Sequence, residues 1–232
     1  MRTAILFELD GVLVDTRVPR TESLAAAFAT ESVAARPVLD VLDTSASFDD
    51  LARAVAAARA RAGDVGAGAL DDTALALVAL RAEREYARRI AAGVTLVDGA
   101  RALVEACAVG WRVGIVTGWH RVDAERVLAL AGLDASVRFV VAADDGPAFA
   151  STTVRFARAV ARLARPGMTD AARVLAVVGR SSVDAARAAG ARAVRVGDHL
   201  PLRMLTPDRL AELIDRESSL GASSLVITST PP

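Results

Sequence analysis

The order of apolar and polar positions divides the chain into two regimes. Residues 3–9 (TAILFEL) form an apolar run that ends in acids, the pattern of a buried parallel strand carrying polar groups at its C-terminal tip. Gly11 follows and permits a tight turn. From about residue 19 to residue 93 no strand-like segment occurs. Three helical stretches are expected there instead, over 20–35, 48–62 and 71–92. In the third, Leu75, Val78, Ala79, Ala82 and Tyr86 make one apolar stripe at helical spacing. Residues 63–68 (GDVGAG) read as a loop between the second and third.

After Gly93 the pattern becomes an alternation. A helix over 98–109 with Asp98 at its N-cap precedes a short buried strand over 112–116 (RVGIV). A helix over 122–131, closed by Gly132, precedes a strand over 138–142 (RFVVA). A helix over 152–164 is followed by a strand over 173–178 (RVLAVV), a short helix over 183–189, a strand over 193–196 and a helix over 207–216. The tail adds an edge-strand candidate at 225–228 before its prolines. This alternation predicts an α/β fold, a parallel sheet with helices on both faces, and a helical insert after strand one. The expected division is a core of residues 1–16 and 94–232 and a helical cap of residues 17–93. Ligands of such sheets bind beyond the C-terminal strand tips, which directs attention to residues 8–10, 117–121, 142–147 and 179–184.

Composition narrows the function classes. With 232 residues, 53% of them hydrophobic, the chain has material for a sizeable core. The formal net charge is zero, so no electrostatic footprint points to nucleic acid or an anionic membrane. Glu8 and Asp10 break up the first ten residues, against a secretory leader, and no apolar run reaches bilayer length; a cytoplasmic protein is expected. The single cysteine, Cys107, lies in an apolar helical pattern and reads as a packed thiol. All 28 basic residues are arginine, so no step of any chemistry here can use a lysine ammonium.

At the four strand tips the residues resemble the motifs of the haloacid dehalogenase-like superfamily, in its phosphatase branch with a helical cap after the first strand. FELDGVLVDT (7–16) is similar to the first motif, VGIVTGWHR (113–121) to the second, VVAADDGP (140–147) to the strand and acidic turn before the third, and VVGRSSVDAARAAGA (177–191) to the fourth. The resemblance runs essentially end to end and implies a Rossmannoid sheet with an inserted cap. It also implies a nucleophilic aspartate that forms an aspartyl-phosphate, a second acid two residues on as acid/base, a hydroxyl and a basic side chain on the phosphoryl oxygens, and Mg²⁺ held by carboxylates of the first and fourth motifs.

Carried over one residue at a time, the pattern is incomplete. Asp10 stands at the acid/base position and is intact, and Thr117 with Gly118 matches the phosphate-binding tip. Glu8 stands at the nucleophile position, where its carboxylate reaches about 1.5 Å further than an aspartate's. A misplacement of about 1 Å can lower an in-line attack on the order of 100-fold. The third motif has no lysine, and Arg155 is the nearest substitute. In the fourth, Arg180 replaces the acid after glycine; Asp184 has the spacing of the second acid if Gly179 is the anchor, but not if Gly190 is. Asp144 and Asp145 offer replacement carboxylates on another loop.

These changes lead to an expectation in two branches. The leading one is a catalytically impaired phosphatase-like fold, a pseudoenzyme that binds a small phosphorylated ligand or a protein partner. In it Arg180 pairs with Glu8 and closes the metal site otherwise shared by Glu8 and Asp184, so that Mg²⁺ is lost. The other is an active but atypical hydrolase of a small phosphate ester, with Asp10 as acid/base.

Overall fold

The computed structural model describes residues 4–39, 48–146, 151–163, 174–197 and 200–212. The chain divides into two compact units, one of Met1–Asp15 with Thr95–Pro232 and one of Thr16–Val94.

The first unit is built on five parallel strands: β1 (Ala4–Glu8), β2 (Arg112–Val116), β3 (Phe139–Val141), β4 (Val174–Val178) and β5 (Arg192–Arg195). Their order is β3–β2–β1–β4–β5. The chain steps outward from β1 to β3, then returns to place β4 on the other side of β1. The reversal of strand order therefore falls between β1 and β4, where a parallel sheet opens a crevice at its carboxyl ends. Register pairs Phe7 with both Ile115 and Val177, which brings the residues after them, Glu8 and Val178, to neighbouring tips.

All five residues of β4 are buried, as are the first four of β1, which is why both read as uninterrupted apolar runs in the sequence. Ala4, Leu6, Ala176 and Val178 join Phe156, Ala159, Val160 and Leu163 of α8 (Thr152–Leu163) and Ala186 of α9 (Val183–Ala188) in one core cluster. Gly114 is required by this packing. A Cβ there would lie 2.4 Å from the Phe139 ring on the neighbouring strand.

In the second unit, helices α1 (Arg17–Ala29), α2 (Arg36–Leu39), α3 (Phe48–Arg61), α4 (Val65–Gly68) and α5 (Asp72–Ala92) follow one another with no strand among the described residues. The expected α5 stripe of Leu75, Val78, Ala79, Ala82 and Tyr86 is buried. Arg20 of α1 is buried with its guanidinium 4.5 Å from the Phe48 ring centre and 5.6 Å from that of Tyr86. The arginine-rich face of α5 combines an internal ladder with a brace, and Arg88 pairs with Glu85 at 2.6 Å. Arg89 pairs with Glu85 one turn back at 2.9 Å, but it also pairs with Glu22, and Arg81 pairs with Glu31, both beyond α5.

The remaining helices of the first unit are α6 (Ala100–Gly110), α7 (Arg121–Leu130), α8 (Thr152–Leu163) and α9 (Val183–Ala188), with helix also at 207–212. The expected strand at 225–228 and the rest of the helix after 212 lie outside the described residues. Two expectations need correction. Residues 63–68 are not all loop, because the Asp64 side chain accepts the Ala67 N–H at 3.1 Å and caps the short α4. Asp98 is not the N-cap of α6; Gly99 is, at φ 82°. A Cβ at 99 would sit 2.5 Å from the Arg203 Cα, so this close approach admits only glycine. Asp98 instead faces Arg203 at 3.4 Å.

Candidate functional site at the strand tips

The tips of β1, β2 and β4 carry the polar side chains of the site. Glu8 ends β1, and its side chain reaches across to the segment after the adjacent β4. Gly179 N–H donates to Glu8 Oε2 at 2.9 Å, and the Ser182 hydroxyl donates to Oε1 at 2.6 Å. Ser182 is 3% exposed, at the end of the turn Arg180–Ser182. Burial raises the Glu8 pKa above its ordinary 4.5; the Ser182 and Gly179 hydrogen bonds oppose this, the charge of Asp10 adds to it, and that of Arg155 opposes it. Asp10 therefore stands close enough to repel Glu8, and Arg155 close enough to attract it.

Arg155 lies in the first turn of α8 and is half-buried. Its Nη2 donates to Thr152 Oγ1 at 3.0 Å. The same nitrogen lies 3.7 Å from where a Cβ on Gly118 would be, so the guanidinium comes up to the tip of β2. Burial pulls its pKa below the usual value and the charge of Glu8 opposes that. Thr117 is buried; its Oγ1 accepts the Trp119 N–H at 3.1 Å, which orients the hydroxyl and leaves its proton as a donor. The structure thus brings Glu8, Asp10, Thr117, Gly118 and Arg155 to one end of the sheet.

Four other sequence candidates fall elsewhere. Arg180 is exposed and is not among the groups that act on Glu8; the expected ion pair gives way to the Gly179 amide and Ser182 hydroxyl. The physical reason is reach and geometry: the turn after β4 presents two donors to the carboxylate at short range, while the Arg180 guanidinium remains in water. Asp184 is exposed in the first turn of α9. The acidic turn engages the start of α7. Asp144 Oδ1 accepts the Arg121 N–H at 2.9 Å at the start of α7 and faces His120 at 3.9 Å. Asp145 accepts the Ala142 N–H at 2.8 Å and pairs with Arg121. Burial opposes its ionisation, but the Arg121 guanidinium and the Ala142 amide hold its pKa below the ordinary carboxylate value.

Ser182 is the residue that the sequence did not single out. Its signal was two adjacent serines beside the missing acid of the fourth motif, with nothing local to say which carboxylate they meet.

Mg²⁺ is the ion that the sequence resemblance implies for these tips, held by carboxylates. That ion requires near-octahedral oxygen ligands. Among the described residues no group of three His, Cys, Asp or Glu side chains is placed to hold a metal. Both oxygens of Glu8 already accept hydrogen bonds. The chemistry available at the tips is that of one guanidinium, one oriented hydroxyl and two carboxylates, of which Glu8 is tied down.

Solved structures share this fold. β-Phosphoglucomutase from Clostridium difficile aligns with TM-score 0.68 at 16% identity over 94% of this chain and 100% of its own. The HAD-hydrolase YfnB from Bacillus subtilis, bound to magnesium, aligns with TM-score 0.57 at 20% identity over 93% of this chain and 99% of its own. CbbY from Rhodobacter sphaeroides, in complex with phosphate, aligns with TM-score 0.56 at 20% identity over 92% and 96%. At these identities the likeness concerns the fold. No curated protein matches the sequence. The family model of the haloacid dehalogenase-like hydrolases matches residues 3–191, from β1 past the turn that holds Glu8, and the chain belongs to that family.

Proposed function

We propose that this chain is a catalytically impaired member of its family that binds a small phosphorylated ligand at the β-strand tips without Mg²⁺, with Thr16–Val94 as the cap and the cytoplasm as its compartment. The observation that carries the reading is the state of Glu8. Each of its carboxylate oxygens accepts a hydrogen bond, from Gly179 N–H or Ser182 O–H, which lowers its nucleophilicity and fixes it on the side of β4. The phosphoryl group would be taken by the Arg155 guanidinium, the Thr117 hydroxyl and the backbone at Gly118, which suit a tetrahedral dianion. A structural neighbour in complex with phosphate supports that ligand class.

Asp10 favours a second reading, hydrolysis of a small phosphate ester. It keeps the acid/base position and stands close enough to Glu8 to raise its pKa. A turnover assay over a panel of phosphate monoesters, with and without Mg²⁺, separates the two. The binding reading expects no hydrolysis above a heat-inactivated control in either condition. Hydrolysis by the wild type that Asp10→Asn abolishes would establish the second reading and end the first.

A further inference from the structure

The Glu8 carboxylate ends in a receptor made by four consecutive residues. The Ser182 hydroxyl takes one oxygen and the Gly179 amide takes the other. The segment is a single turn in which Ser182 N–H donates to Gly179 O at 3.2 Å, so the two donors are held relative to each other. Ser182 is buried, which removes water as a competitor for Glu8 Oε1. A hydroxyl–carboxylate contact of 2.6 Å is in the short, charge-assisted range. The extra methylene of glutamate supplies the reach from β1 to this turn; an aspartate carboxylate would stop about 1.5 Å short. Arg155 adds positive potential on the approach.

We propose that Ser182 is the positioning residue of this site: with the Gly179 amide it forms a carboxylate receptor that fixes Glu8 in place. The receptor is chemically specific. Two donors on one turn match the two oxygens of one carboxylate, and a free carboxylate fills the receptor once the tethered one is removed. The proposal concerns Glu8 and its two donors alone, so it stands or falls whether or not a phosphorylated ligand binds.

The test removes the tether and supplies acetate. Thermal unfolding of the full chain is followed in sodium acetate and in sodium chloride of equal ionic strength, for wild type, Glu8→Gly, Glu8→Gly with Ser182→Ala, and Glu8→Gly with Ser182→Thr. Acetate is expected to raise the Tm of Glu8→Gly above its chloride control and to give no specific rise in wild type, where the receptor is filled. The apparent acetate affinity should fall at least about tenfold with Ser182→Ala and return with Ser182→Thr. An absent rise in Glu8→Gly, an equal rise in wild type, or a rise indifferent to Ser182 overturns the assignment. If Glu8→Gly does not fold, the readout becomes amide hydrogen exchange at Gly179 in the single variants. Protection there is expected to drop at least about tenfold in Ser182→Ala and to persist in Ser182→Thr. Unchanged protection in Ser182→Ala overturns the assignment by the same logic.

Discussion

Replacing Glu8 by glutamine keeps its length and removes its charge, which makes stability report the electrostatics of the strand-tip site. The Glu8 pKa is raised above its ordinary 4.5 because burial outweighs the hydrogen bonds from Ser182 and Gly179 and the attraction of Arg155, with Asp10 adding repulsion. A raised carboxyl pKa means that the folded state holds a proton that the unfolded state has already released. Stability therefore falls as pH rises from the unfolded value through the folded one, and at neutral pH the ionised Glu8 is a net burden. Each unit of difference amounts to about 1.36 kcal/mol. Glutamine resembles the protonated acid and can still accept the Gly179 N–H through its carbonyl. Glu8→Gln should consequently be more stable than wild type at neutral pH. The gap should close as pH falls, and vanish below about 4.5, where both side chains are neutral. For a chain of this size every 1 kcal/mol appears as a Tm shift of about 2–4 °C. Urea unfolding of both proteins at a series of pH values measures the gap directly. A Glu8→Gln protein less stable than wild type at neutral pH, or a gap that widens on acidification, would refute the reasoning, because the hydrogen bonds and Arg155 would then outweigh burial.

Three further outcomes follow from separate features. Arg155→Gln should weaken binding of inorganic phosphate on the order of 10- to 100-fold by calorimetry, since a charge-assisted contact contributes about 1.5–3 kcal/mol; unchanged affinity would remove Arg155 from the site. Gly114→Ala should destabilise the fold by about 1–3 kcal/mol in urea unfolding, because its methyl group would lie 2.4 Å from the Phe139 ring. Burial pushes the Cys107 thiol up to about 12, so it should resist a thiol-selective reagent in the native state and react at once when denatured.

The sheet was legible because its strands are buried on both faces. AILFE and VLAVV are apolar without alternation, and a parallel strand with helices on both sides requires that. The stripe of α5 was legible for the analogous reason at helical spacing. What escaped the sequence depended on approach between distant residues. Asp98 is a good cap by type, but Gly99 takes the cap because Arg203, about a hundred positions away, lies against it. In α4 the cap residue, Asp64, was present in the sequence and was masked by the glycines around it. The site divides along the same line. Glu8, Asp10, Thr117 and Gly118 could be placed because strand tips position them. The partner of Glu8 could not, because opposite formal charge favoured Arg180, whereas the turn after β4 aims the Ser182 hydroxyl and the Gly179 amide at it.

The claim that this site holds a phosphoryl group by its own cation is tested most directly by calorimetric titration of the wild-type chain with inorganic phosphate, once in a chelator and once with excess Mg²⁺. The account predicts saturable binding whose affinity is the same in both. Binding that appears only when Mg²⁺ is present would contradict it.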